Sequence, residues 1–193
     1  MNRSVKTNTE RSCNVGVLLT LADLYRQSMP GLSEEYTRYW TRVLEEILGE
    51  TAILHFLATA HTTEEVSRAV RSCEQEDCDL LLVLPMAYSP SGAAIDTLTT
   101  TDLPILVVST SRDLTLSTEV AAEDLRANQA MHGVQDLANL LRRRGRNFVL
   151  VAGHHSQDRF RGKLKQVCTA AAGARTLRAG RIGRLGTPFA GML

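Results

Sequence analysis

Asp79-Leu80-Leu81-Leu82-Val83-Leu84-Pro85 is the stretch whose reading decides the fold. It is apolar at every position from Leu80 to Leu84 and is closed by a proline. Successive residues of a strand point to opposite faces, so an unbroken apolar run suits a strand buried on both sides. Strands of that kind lie at the centre of parallel sheets covered by helices. Working outward, Asn14–Leu21, Ala52–Ala58, Leu103–Ser109 and Asn147–Gly153 also read as strands. The proline in the fourth of these five, Pro104, stands at its start, where a ladder bond is not yet needed.

Helices fill the intervals. Ser33 is the expected cap of the strongest one, with Glu34 and Glu35 in its first turn. Tyr36, Tyr39, Trp40, Val43, Leu44, Ile47 and Leu48 then recur at helical spacing up to Gly49. Thr62 or Thr63 caps a helix over Glu64–Glu76, whose apolar face is Val66, Ala69, Val70 and Cys73. Ser89-Pro90 has the N-cap and N1 pattern of a helix running towards Leu98. Asn128 caps another, with Val134, Leu137, Leu140 and Leu141 facing a sheet, and Gly145 as its left-handed stop. A last helix covers Gln157–Ala172, and Thr176–Gly186 reads as a final strand. Residues 22–32 read as a loop and residues 110–127 as irregular. Strand and helix alternate without a hairpin signal, so we expect an α/β fold: a doubly wound, mostly parallel sheet of flavodoxin/Rossmann-like type with helices on both faces.

Composition narrows the function classes. The 193 residues are 44% hydrophobic and 22% charged, with a formal charge of +1, which gives no general drive towards nucleic acid. Aromatic residues are only 5%, too few for a base-stacking surface. No apolar run approaches the ~20 residues of a membrane helix, and the polar Met1–Ser12 lacks a secretory core. We therefore expect a disordered lead over residues 1–12, an α/β domain over 13–178, the start of a following domain over 179–193, and a cytoplasmic setting. Cys13, Cys73, Cys78 and Cys168 read as reduced structural thiols, since no second pair completes a zinc site beside Cys73 and Cys78. The arginines at 142, 143, 144 and 146 complement a helix C-terminus, with a nucleic-acid patch as the sharper alternative.

Chemistry is harder to find. No GxGxxG follows the first strand, and neither GxxxxGK[ST] nor GxSxG occurs. His154, His155 and Asp158 invite a metal, yet they fall on a strand-to-helix turn and not on one helical face, which favours a solvent-facing or supporting role. If Asn128 opens a helix, Gln129 and His132 sit on its first turn, where free N–H groups favour oxygen-rich ligands.

Several segments together resemble one family. Leu24-Tyr25 after the first strand is similar to the Leu-Tyr loop of the L-arabinose/L-fucose isomerases. Tyr88-Ser89-Pro90 is similar to their aromatic-Ser-Pro segment, and Asn128-Gln129-Ala130-Met131-His132-Gly133 to their Asn-Gln-x-x-His-Gly motif. Val151-Ala152-Gly153-His154 and Arg181-Ile182-Gly183-Arg184-Leu185-Gly186 follow in the family's order. The resemblance implies the N-terminal portion of an aldose–ketose isomerase. It also implies a divalent metal, commonly Mn²⁺, held by residues beyond Leu193, and a homo-oligomer, trimer or hexamer, in which this domain closes a neighbour's sugar site. Carried over by position, Leu24, Tyr25, Tyr88, Gln129 and His132 would line that site, with no catalytic residue and no metal ligand in this chain. Ala22 stands where arabinose isomerases have a glutamine, which leaves the sugar open among pentoses and hexoses. The alternative is a non-catalytic α/β ligand-binding or regulatory module.

Overall fold

A computed structural model describes residues 12–116, 118–181, 183 and 186. The expected lead over residues 1–12 lies outside them except for Ser12. Among the described residues, five strands form one sheet: β1 (Cys13–Thr20), β2 (Ala52–Phe56), β3 (Leu80–Pro85), β4 (Ile105–Ser109) and β5 (Val149–Ala152). Every pairing is parallel and the order is β2-β1-β3-β4-β5. This is the flavodoxin-like order, in which the winding reverses between β1 and β3. The expected doubly wound fold is what the chain adopts.

The two faces of β3 explain its unbroken apolar run. Leu80, Leu82 and Leu84 lie in a core with Trp40, Leu44 and Ile47 of α2 (Leu32–Leu48) and Phe160 and Leu164 of the C-terminal helix over Asp158–Ala179. Leu81 and Val83 lie in the opposite core, beneath Val66 and Val70 of α3 (Thr63–Gln75) and Leu98 of α4 (Ile95–Thr100). Leu137 and Leu141 of a later helix, over Ala130–Arg143, close that second face. None of the helices among the described residues is long and apolar enough to cross a membrane.

Several local expectations are corrected. The loop after β1 contains a short helix, α1 (Asp23–Ser28), tied by Gln27 and Arg26 to the Asp23 carboxylate. Ser33 does not cap α2. That helix opens one residue earlier, after Gly31, because Leu32 is drawn into the core, and the Ser33 hydroxyl instead meets His61 Nε2 at 3.1 Å. Pro90 stays extended, and the segment after it forms a single 3₁₀ turn over Ser91–Ala93 before α4. The reason lies in Asp136, whose carboxylate accepts from both the Ser91 backbone N–H and its hydroxyl, a service the sequence would assign to Ser89. Within residues 110–127, α5 (Ala122–Asn128) forms with no apolar period, since only Ala127 is buried.

Asn128 is likewise not a cap. It ends α5, and Gln129 joins that helix to α6 (Ala130–Arg143), so α6 has no free N-terminus. The His132 N–H bonds to the Gln129 carbonyl at 3.2 Å. Asn128 pins the loop after β4 instead, its Oδ1 accepting from the Asp113 N–H and its Nδ2 donating to the Asp113 carboxylate, both at 2.8 Å. Gly145 does take the left-handed stop, at φ 69°. The final helix, α7 (Asp158–Ala179), runs through the first part of the expected last strand, and Gly180 and Arg181 are not in a strand. Residues 182, 184 and 185 of that segment lie outside the described residues.

The cysteines have a structural account. Thr62 and Glu65 form a reciprocal capping box at the start of α3. At its other end the Cys78 N–H bonds to the Cys73 carbonyl at 3.0 Å and the Asp77 N–H to that of Glu74 at 3.3 Å, with Asp77 left-handed at φ 55°. That is the Schellman pattern, and Cys73 with Cys78 is the apolar contact that accompanies it. All four cysteines are free and buried.

Candidate functional site

Doubly wound sheets bind ligands at the carboxyl ends of their strands, where the winding reverses. Here the ends of β1, β2 and β3 are laced together by the backbone. Leu21 N–H donates to the Ala60 carbonyl at 3.2 Å, Ala22 N–H to that of Tyr88 at 3.2 Å, and Met86 N–H to that of Thr20 at 2.9 Å. They frame a cleft of about 340 Å³. β1 and α1 contribute Thr20, Ala22, Asp23, Leu24 and Tyr25, and the loop after β2 contributes Ala60 and His61. Val66 lies to one side, and Tyr88, Ser89, Pro90, Ala93 and Ala94 close the other.

Three of the five expected sugar-site residues, Leu24, Tyr25 and Tyr88, therefore lie in this cleft. Gln129 reaches its edge, its Nε2 donating to the Tyr25 hydroxyl at 2.7 Å. Burial raises the Tyr25 phenol above its ordinary value, against the opposing pull of Arg126 and Gln129. Gly133 explains how α6 comes so near. A Cβ there would stand 2.9 Å from the Ser89 carbonyl oxygen and 3.0 Å from its nitrogen, so only a glycine lets the helix rest on the Tyr88-Ser89-Pro90 loop. His132 is exposed on α6 and is not part of the cleft lining.

Sequence reasoning passed over His61 and Thr20. The signal for His61 was its place, in the loop between β2 and the capped start of α3. Its backbone N–H donates to Glu65 Oε2 at 2.7 Å, and Glu65 also pairs with Arg26 at 2.8 Å. Burial pushes the Glu65 carboxyl up, but its bonds from His61 and Arg26 outweigh that and hold it below its ordinary value.

His154 and His155 lie elsewhere, at the β4–β5 end. Their rings stack with centroids 4.3 Å apart, and His155 Nε2 meets the Tyr39 hydroxyl at 3.0 Å. Trp40 packs edge-on against His155, and the Arg112 guanidinium sits 5.1 Å from the Tyr39 ring centre. Burial, reinforced by neighbouring His154, lowers the His155 pKa. The pair is thus a packed aromatic plug, and Asp158 starts α7 without joining it in a ligand set.

Among the described residues no group of three or more His, Cys, Asp or Glu side chains could hold a metal ion. The cleft itself does not fit a divalent cation, which needs several oxygen ligands. Its one carboxylate, Asp23, is engaged by Arg26 and Gln27, and its one imidazole, His61, by Ser33. We derive no step through a metal on these residues.

A family model described as the L-arabinose isomerase N-terminal domain matches residues 24–179. A search of curated proteins returns no match. The matched span starts at the Leu24-Tyr25 pair, includes the Tyr88 loop and the Gln129 segment, and ends with α7. The chain therefore belongs to the L-arabinose isomerase family, as an N-terminal domain of that family.

Proposed function

We propose that this domain forms one wall of the sugar site of a metal-dependent aldose–ketose isomerase, and that it contributes binding and not the chemical step. The observation that carries the reading is the meeting of three distant segments at the winding reversal: Tyr25 bonded to Gln129, with α6 resting through Gly133 on the Tyr88 loop. Accepting from Gln129 leaves the Tyr25 hydroxyl its own proton to donate, and leaves Gln129 Oε1 to accept. A polyol needs such partners, because a buried hydroxyl without one is costly. Leu24 and Tyr88 would pack on the carbon face of the sugar.

In this reading the divalent metal, manganese or a similar ion, is held by residues outside this chain, and the sugar belongs to an adjacent subunit of a homo-oligomer. Exposed apolar side chains at the same end of the sheet support a subunit contact there: Leu24, Leu114, Leu125 and Met131 are all more than half exposed. His132, exposed on α6, would serve such a neighbour and not the cleft beside it. Four free, buried thiols agree with a reducing, cytoplasmic setting.

The test joins this domain to the family's metal-bearing domains. His132→Ala should slow turnover about ten- to a hundred-fold, the value of a lost hydrogen bond to a bound hydroxyl, with metal affinity unchanged. Mixing His132→Ala subunits with subunits lacking a metal carboxylate should restore part of the activity. No recovery in confirmed mixed oligomers would overturn the shared site. Ketose formation by this chain alone would overturn the division between wall and chemistry.

A further inference from the structure

The cleft's least explained polar atom is Nδ1 of His61. It is buried and has no hydrogen-bond partner, although its ring belongs to a residue that lines the cleft. Everything else about His61 is fixed. Its Nε2 meets the Ser33 hydroxyl at 3.1 Å, and its backbone N–H is held by Glu65 at 2.7 Å. The preceding residue, Ala60, is stitched to β1 by its N–H, which donates to the Leu19 carbonyl at 2.9 Å, and by its carbonyl, which accepts from Leu21. With its backbone fixed and Nε2 engaged by Ser33, the ring would have to give up that contact to swing its second nitrogen out to water. Buried polar atoms in folded proteins are nearly always paired, and those that are not call for an explanation.

The surroundings supply none from within the protein. Thr20, Asp23, Tyr25, Tyr88 and Ser89 line the same cleft and carry polar side-chain atoms, yet none of them pairs with Nδ1, and Ala22, Ala60, Ala93, Ala94 and Val66 offer none. We propose that His61 is a specificity-determining residue of the cleft, its free ring nitrogen pairing with one hydroxyl of the bound sugar. This rests on the sugar-site reading above and adds to it a residue outside the motifs that suggested that reading. Because the other ring nitrogen is engaged by Ser33, the free one would meet a hydroxyl at one position only, and a sugar with a hydroxyl there is favoured over its deoxy or inverted counterpart. A site built to pair a hydroxyl rejects an analogue lacking it far more strongly than an apolar pocket rejects an added group.

The test is NMR titration of the whole chain, labelled in its histidine and tyrosine rings, with L-arabinose and with L-ribulose. The His61 imidazole should shift along the same saturation curve as Tyr25. His61→Phe should weaken binding about tenfold, and His61→Gln, which keeps a hydrogen-bonding group, should restore most of it. Binding seen at Tyr25 and unchanged in His61→Phe would overturn the role of His61 and leave the sugar-site reading intact. No response at Tyr25, Tyr88 or His61 would overturn both. Should His61→Phe fail to fold, the wild-type imidazole decides: movement with Tyr25 supports the assignment, and silence while Tyr25 moves refutes it.

Discussion

Two clusters of rings stand at the same end of one sheet and are built in opposite ways. At the β4–β5 end, Tyr39, Trp40, His154 and His155 pack ring against ring, mostly edge to face, and Tyr39 and the two histidines spend polar atoms on one another, on Ser156 and on the Arg112 carbonyl. At the β1–β3 end, Tyr25 and Tyr88 border an open cleft whose lining includes Ala22, Ala60, Ala93 and Ala94, and a histidine nitrogen is left unpaired. The first looks richer in chemistry when read as sequence, with two adjacent histidines and an aspartate nearby. The second is where the fold leaves room. Ligand-type residues mark a site only where packing has not already consumed them.

That contrast can be broken first at the plug. Trp40 is 2% exposed, so Trp40→Ala should destabilise the chain by about 3–5 kcal/mol in urea unfolding. A loss under about 1 kcal/mol would mean that the β4–β5 end is not a packed element of the core.

The cleft side should respond more mildly and more locally. Gly133→Val drives a side chain into the Ser89 backbone, which cannot move aside as a flexible side chain could. We expect about 1–3 kcal/mol of destabilisation. The Tyr25–Gln129 bond should be lost with it, read as a change in the Tyr25 ring resonances. An unperturbed Tyr25 would show that α6 does not position Gln129.

Smaller again is the effect of pH. His155 has its folded pKa lowered below the ordinary 6.5 by burial and by His154. Between that lowered value and the unfolded one the unfolded chain binds more protons, so stability falls as pH drops below about 6.5 and is fully present above it. His155→Gln should flatten this slope in melting curves.

Much of the fold was legible because burial wrote it into periodicity. The run from Leu80 to Leu84 divides between two cores, and the apolar spacing from Tyr36 to Leu48 matches the buried face of α2. What escaped was set by partners distant in sequence. Asp136 takes the Ser91 N–H, which no local rule contains. α5 buries only Ala127 and so has no apolar stripe to betray it. Asn128 looked like a cap because the helix before it was invisible. The candidate residues came only from resemblance, and the fold gathers part of them: Leu24, Tyr25 and Tyr88 reach the cleft and Gln129 its edge, whereas His132 stands outside. His61 carried no motif, and its part emerges only from the loops that hold it.

The central claim is that the open end of the sheet, and not the plugged one, meets the sugar. The chain's four tyrosines report on it directly: Tyr25 and Tyr88 line the cleft, while Tyr36 and Tyr39 belong to α2. Ring-labelled tyrosine spectra recorded through a titration with L-ribulose should show Tyr25 and Tyr88 moving saturably, with Tyr36 and Tyr39 unchanged. Movement at Tyr39 with Tyr25 and Tyr88 still would place the ligand at the histidine pair and contradict the account.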